Sequence, residues 1–220
     1  MIKAVIFDFD GLILDTETAW YDTYKQILQE THDFDLPLSE FVKGVGGGDD
    51  TLLDYIDKEV KGTFQPDVFL EKVSVMHAER LKEAEAREGV EDYLKEASDA
   101  GYQISIASSS DRKWVTTHLT NLGLIDYFDH FVTSDDVEKI KPAPDLFLKA
   151  IEVLNVKPEE AIIFEDSLNG LLAARKANIK TIIVPNPVTE SLPFEDHHLK
   201  ISSMKEMSLT EIIKSVDKAE

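Results

Sequence analysis

The sequence predicts an α/β fold: a Rossmann-like parallel sheet core with helices on both faces and a small all-helical cap inserted after the first strand. Three observations predict it. Five short apolar runs are rich in β-branched residues, amphipathic stretches of helical length lie between most of them, and one long interval holds helical patterns without a strand.

The elements follow in order. Residues 4–7 form the first apolar run, and 17–30 then place Trp20, Tyr21, Tyr24, Ile27 and Leu28 at helical spacing. A second helix is expected after Gly44-Val45-Gly46-Gly47-Gly48, with Leu52, Leu53 and Ile56 on one face. A third follows Pro66 and carries Phe69, Leu70, Val73 and Met76. Beyond them, strands at 103–107, 130–133, 161–164 and 180–184 alternate with helices at 111–122, 144–154 and 167–177. Gly101, Gly123 and Asn178 are the expected helix stops. The expected division is a core of residues 1–15 and 80–220 with a cap of residues 16–79 acting as a lid.

Composition narrows the function. The 220 residues are 43% hydrophobic and 30% charged, which suits a water-soluble globular protein. No apolar run approaches the roughly 20 residues of a membrane helix. Residues 1–5 show no charged leader or cleavage site, and cysteine is absent, so the cytoplasm is the expected location. A net charge of −20 repels phosphate backbones and anionic lipid, so neither nucleic acid nor membrane is the expected partner. An anionic substrate would therefore need positive charge supplied locally.

Ligands of open parallel sheets bind beyond the carboxyl ends of the strands. There the first strand ends in Asp8-Phe9-Asp10-Gly11, the second in Ser108-Ser109-Ser110 and the fourth in Glu165-Asp166-Ser167, while Lys141 sits on a proline-stiffened loop. Each alone has an ordinary explanation: a solvated turn, a cap, or acids complementing a helix dipole. Together they suit phosphoryl transfer. Asp8 and Asp166 are hard oxygen ligands for Mg²⁺, and one carboxylate can attack phosphorus while another, two residues on, moves the proton. Lys141 would offset the crowded negative charge, and Ser108 would hydrogen-bond a phosphoryl oxygen.

These stretches resemble the four motifs of the haloacid dehalogenase (HAD) superfamily, in its helical-capped phosphatase and β-phosphoglucomutase-like branch. Residues 5–17, 104–108, 141–145 and 162–167 carry the likeness, in order and across nearly the whole chain. The resemblance implies Asp8 as nucleophile and Asp10 as general acid/base, also lending its carbonyl to Mg²⁺. It implies phosphate binding by Ser108 and Lys141, with Ser109 beside them, and metal binding by Asp166, with Glu165 direct or through water. Dehalogenases lack the second aspartate, so Asp10 favours phosphorus chemistry. Mutases of this branch carry a cap histidine where Trp20 stands, and an arginine near the segment matching Gly44-Val45-Gly46-Gly47. The expectation is therefore a Mg²⁺-dependent phosphatase, able to function as a monomer, acting on a small phosphorylated metabolite: a sugar phosphate, polyol phosphate or nucleotide. A sugar phosphomutase and a noncatalytic phospholigand-binding protein are the alternatives.

Other residues tempt a functional reading. Trp20 suits a core position or a stacking surface, and Gly46-Gly47-Gly48 a connector or a mobile substrate loop. Arg112 is expected at the surface, Asp135-Asp136 in a turn or at the site, and His197-His198 in an exposed loop without a ligand role.

Overall fold

The structure, a computed structural model, describes residues 1–43, 45 and 50–217, with the side chain of Asp50 excepted. Gly44 and Gly46-Gly47-Gly48, assigned above to a substrate loop and to the segment matching the mutase arginine, lie outside the described residues.

Six strands form one parallel sheet among the described residues: β1 (Ala4–Phe7), β2 (Gln103–Ala107), β3 (His130–Val132), β4 (Ala161–Glu165), β5 (Lys180–Ile183) and β6 (Leu199–Lys200). Their order is β3-β2-β1-β4-β5-β6. The sixth strand was not foreseen. It contributes two residues at the edge, too few to show any periodicity, and is recruited by pairing with Ile182 and Ile183.

Nine α-helices accompany the sheet among the described residues. Between β1 and β2 come α1 (Thr16–His32), α2 (Leu38–Phe41), α3 (Asp50–Glu59), α4 (Pro66–Leu81) and α5 (Val90–Asp99). After β2 come α6 (Arg112–Asn121), α7 (Asp145–Leu154), α8 (Leu168–Ala177) and α9 (Leu209–Asp217). None is long and apolar enough to cross a membrane. The expected stops hold: Gly101, Gly123 and Asn178 take positive φ of 74°, 69° and 57°.

Alternation along β1 splits the core in two. Val5 and Phe7 face a layer with Tyr93 and Leu94 of α5, Leu119 of α6 and Ile212 of α9. Ala4 and Ile6 face Leu146, Phe147 and Ala150 of α7 and Ala173, Ala174 and Ala177 of α8. Both faces of the sheet are thus buried, which explains the uninterrupted apolar strands. Helices α1–α4 share a separate core, with Tyr24, Ile27 and Leu28 clustered with Phe41, Ile56, Phe69 and Val73, and with Val188 from the segment after β5 joining it. The helical insertion is therefore a second packing unit built after the first strand.

Candidate active site

Strand register brings the polar residues together. Phe7 is level with Ile106 of β2 and Phe164 of β4, so Asp8 emerges opposite Glu165 while Ser108 emerges one residue beyond Ala107. The Asp8 amide donates to Phe164 O at 3.0 Å, and the Ser108 amide to Val132 O at 3.0 Å, so both leave the sheet on fixed backbone. Gly11 then turns the chain away with φ of 77°. A Cβ there would stand 2.2 Å from Asp166 Oδ2 and 2.6 Å from Asn186 Nδ2, so only glycine lets the chain pass this close.

At the centre lies a buried charge cluster. Lys141 Nζ donates to Asp8 Oδ1 and, at 2.6 Å, to Glu165 Oε1. The other Glu165 oxygen accepts from the amides of Asp166 and Ser167 at 2.9 Å each and from Ser167 Oγ at 3.0 Å. Asp166 Oδ2 accepts from Asn186 Nδ2 at 2.7 Å. Asp8, Lys141, Glu165 and Asp166 are each at most 6% exposed.

Three carboxylates held by one ammonium, with the Arg87 charge reaching only Asp166, leave negative charge uncompensated when all are ionised, a costly state in a buried site. Burial accordingly pushes the Asp8 carboxyl up to about 8, and the Glu165 charge adds to the rise against the pull of Lys141. Asp166 is raised well above the usual carboxylate range by burial and by the Glu165 and Asp8 charges. Burial would lower the Lys141 pKa, but the Asp8 and Glu165 charges outweigh it and hold the ammonium above its ordinary value. One oxygen from each of Asp8, Glu165 and Asp166 lies within 4.8 Å of the others. An all-oxygen set short of positive charge fits a small divalent cation such as Mg²⁺.

Asp10 stands beside the cluster, outside its metal-compatible trio. Its Oδ2 accepts from Ser110 Oγ at 2.7 Å and from Ser108 Oγ at 3.4 Å. Its Oδ1 accepts from the indole Nε1 of Trp114 at 2.9 Å. Asp8, Asp10, Ser108, Ser109, Lys141, Glu165 and Asp166 all line one cleft of about 390 Å³. Its far wall comes from the helical insertion, through Glu17, Trp20 and Val45. Asn169 Nδ2 of α8 donates to Val45 O at 3.2 Å across this junction.

The other residues singled out earlier find separate places. Arg112 bonds Asp136 at 2.7 Å and Phe131 O at 3.0 Å. Asp136 also caps its own turn through Thr133, and Asp135 accepts from the Arg112 amide, so this group braces the end of β3. His198 Nδ1 accepts from the Thr181 amide at 3.1 Å. Trp20 is a cleft residue whose ring stacks on the buried His77 at 3.5 Å.

Four supports were missed. Asn186, just beyond β5, orients Asp166 and is itself fixed, its Oδ1 accepting from the amides of Val188 and Thr189. Its place at the carboxyl end of the fifth strand, between two prolines, was an available signal. Ser110 and Trp114 hold Asp10, and Gly170 seats Glu165; their roles are set by contacts that spacing does not encode.

The pattern of the haloacid dehalogenase-like hydrolases matches residues 5–184. The chain is 45% identical over 210 residues to YhcW of Bacillus subtilis (strain 168), covering 95% of each chain. It is 32% identical over 185 residues to the phosphorylated carbohydrates phosphatase of Thermotoga maritima, covering 82% of this chain and 84% of that one. Among solved structures, CbbY from Rhodobacter sphaeroides in complex with phosphate superposes with a TM-score of 0.77 at 26% identity, over 99% of this chain and 100% of that one. By sequence pattern, fold and the cluster at the sheet edge, this chain belongs to the haloacid dehalogenase-like hydrolase family.

Proposed function

We propose that the protein is a Mg²⁺-dependent phosphatase that hydrolyses a small phosphorylated metabolite through an aspartyl-phosphate on Asp8. The observation that carries this reading is the buried Asp8–Lys141–Glu165–Asp166 cluster opening onto a cleft that Asp10 also lines. Asp8, Asp166 and Glu165 would hold Mg²⁺, together with the Asp10 carbonyl. The ion would supply charge to neutralise the carboxylates and the phosphoryl group.

The residues then divide the work. A carboxylate oxygen of Asp8 attacks phosphorus, and the bond to the ester oxygen breaks as Asp10 gives that oxygen a proton. Asp10, now a carboxylate, takes a proton from water as the water attacks phosphorus, releasing phosphate and regenerating Asp8. Lys141 keeps its charge beside Asp8 and offsets the gathering of anions, with Ser108 and Ser109 donating to phosphoryl oxygens. The insertion, residues 16–79 against a core of 1–15 and 80–220, would close over the cleft and exclude bulk water.

The substrate belongs to the sugar phosphates, polyol phosphates or nucleotides. The name of the Thermotoga maritima relative supports the carbohydrate classes. Hydrolysis is favoured over mutase chemistry because Lys141 is the one cation among the described residues lining the cleft, where a bisphosphate needs a second anion site. We place the enzyme in the cytoplasm. Phosphate release from an aryl phosphate should require Mg²⁺ and vanish in Asp8→Asn; turnover persisting in that variant would remove Asp8 as nucleophile. With β-glucose 1-phosphate and a trace of bisphosphate, formation of glucose 6-phosphate without free phosphate would identify a mutase instead.

A further inference from the structure

Asp10 is gripped from two sides. Ser110 Oγ holds one carboxylate oxygen at 2.7 Å, and the Trp114 indole N–H holds the other at 2.9 Å. An indole donates in one direction only, so the bond is as precise as the ring is fixed. The ring is fixed on several sides. It lies parallel to His77 of α4, with centroids 5.9 Å apart and planes 13° apart, and edge-on to His118 at 4.2 Å. His77 is 2% exposed and stacks in turn on Trp20 of α1, at 3.5 Å and 12°. The Trp114 amide is tied to the Asp111 cap at 2.8 Å. A row of three near-parallel rings thus crosses from the insertion to the core and ends on the Asp10 carboxylate.

We propose that Trp114 is a positioning residue that fixes the Asp10 carboxylate for proton transfer. The assignment rests on the reading of Asp10 as the general acid/base. A carboxylate turns about its last bond unless both oxygens are held, and a proton donor out of hydrogen-bond reach of the leaving oxygen contributes nothing. Ser110 restrains one oxygen; Trp114 removes the remaining rotation and joins it to ring packing at the junction of the two units.

The test compares kcat/KM, which reports phosphoryl transfer to Asp8, for p-nitrophenyl phosphate and for the best-turned-over alkyl phosphate. Nitrophenolate departs without a proton, whereas an alkoxide needs one. Trp114→Phe keeps the ring stack and loses the N–H. It should lower kcat/KM about tenfold on the alkyl ester and less than about twofold on the aryl ester. In an Asp10→Asn background the same substitution should cost nothing further. Benzothienylalanine at position 114, with sulfur in place of N–H, should reproduce the ester-dependent loss even if the phenylalanine variant fails to fold. Equal losses on both esters, no loss on either, or a loss that persists in Asp10→Asn would overturn the proposal. Asp10→Asn being itself without effect would overturn the reading of Asp10 instead.

Discussion

Gly170→Ala sets two opposing effects against each other at one residue. Gly170 lies in the first turn of α8, its amide donating to the Ser167 cap at 3.0 Å. On helix propensity alone, alanine would stabilise the protein by about 1 kcal/mol. The packing argues the other way. A Cβ at this position would stand 1.8 Å from both Cδ and Oε1 of Glu165, and 2.2 Å from Oε2. The carboxylate cannot yield, because Lys141, two backbone amides and Ser167 Oγ already hold it, and it is completely buried. Moving it gives up at least two charge-assisted hydrogen bonds at about 1.5–3 kcal/mol each. Shifting α8 instead opens its packing against β5. Set against the gain of about 1 kcal/mol, a net destabilisation of at least about 2 kcal/mol is therefore expected, which lowers Tm by at least roughly 4–8 °C in a chain of this size. Urea unfolding followed by circular dichroism measures it through the midpoint at unchanged slope. A neutral or stabilised Gly170→Ala would refute the claim that the glycine exists to seat Glu165.

The other predictions concern the metal-compatible trio. Asn186→Leu removes the donor to Asp166 Oδ2 and should weaken Mg²⁺ binding by about 10–100-fold in calorimetric titration while the fold persists; unaltered affinity would deny Asn186 its orienting role. Stability should also depend on pH in a metal-sensitive way. Folding raises the Asp8 carboxyl from 3.8 to about 8, and raises Asp166 in the same direction. Between those pH values the metal-free folded state therefore holds protons that the unfolded chain has released. Stability is then full below about pH 4 on this account and falls as pH rises towards 8. With excess Mg²⁺, which binds the ionised carboxylates, the fall should flatten, so the metal should raise Tm more at pH 8 than at pH 6. A Tm at pH 8 that ignores Mg²⁺ would contradict the assignment of the trio to a metal.

The central strands were legible because burial on both faces demands unbroken β-branched runs, and the strand ends then pointed to Asp8, Ser108 and Glu165-Asp166. The edge strand Leu199–Lys200 was not, since two residues carry no period. Trp20 shows why helical spacing is ambiguous: a residue facing the insertion's interior and one facing the cleft share the same pattern along α1. The supporting residues were hidden for another reason. Asn186, Trp114 and Gly170 lie in different elements from Asp166, Asp10 and the Glu165 carboxylate, or face them across a turn, and act only through the closeness that folding creates. Chemistry-bearing side chains follow the strand ends, whereas the groups that aim them follow tertiary packing.

Phosphorylation of the Asp8 carboxylate is the step on which the proposed hydrolysis depends. Enzyme mixed with substrate and Mg²⁺, quenched in acid within one turnover and reduced with borohydride, converts an aspartyl-phosphate to homoserine. Mass spectrometry of the peptide carrying residue 8 should find homoserine there, and only after exposure to substrate. Unmodified Asp8 at every quench time during active phosphate release, or homoserine at another position, would contradict the account.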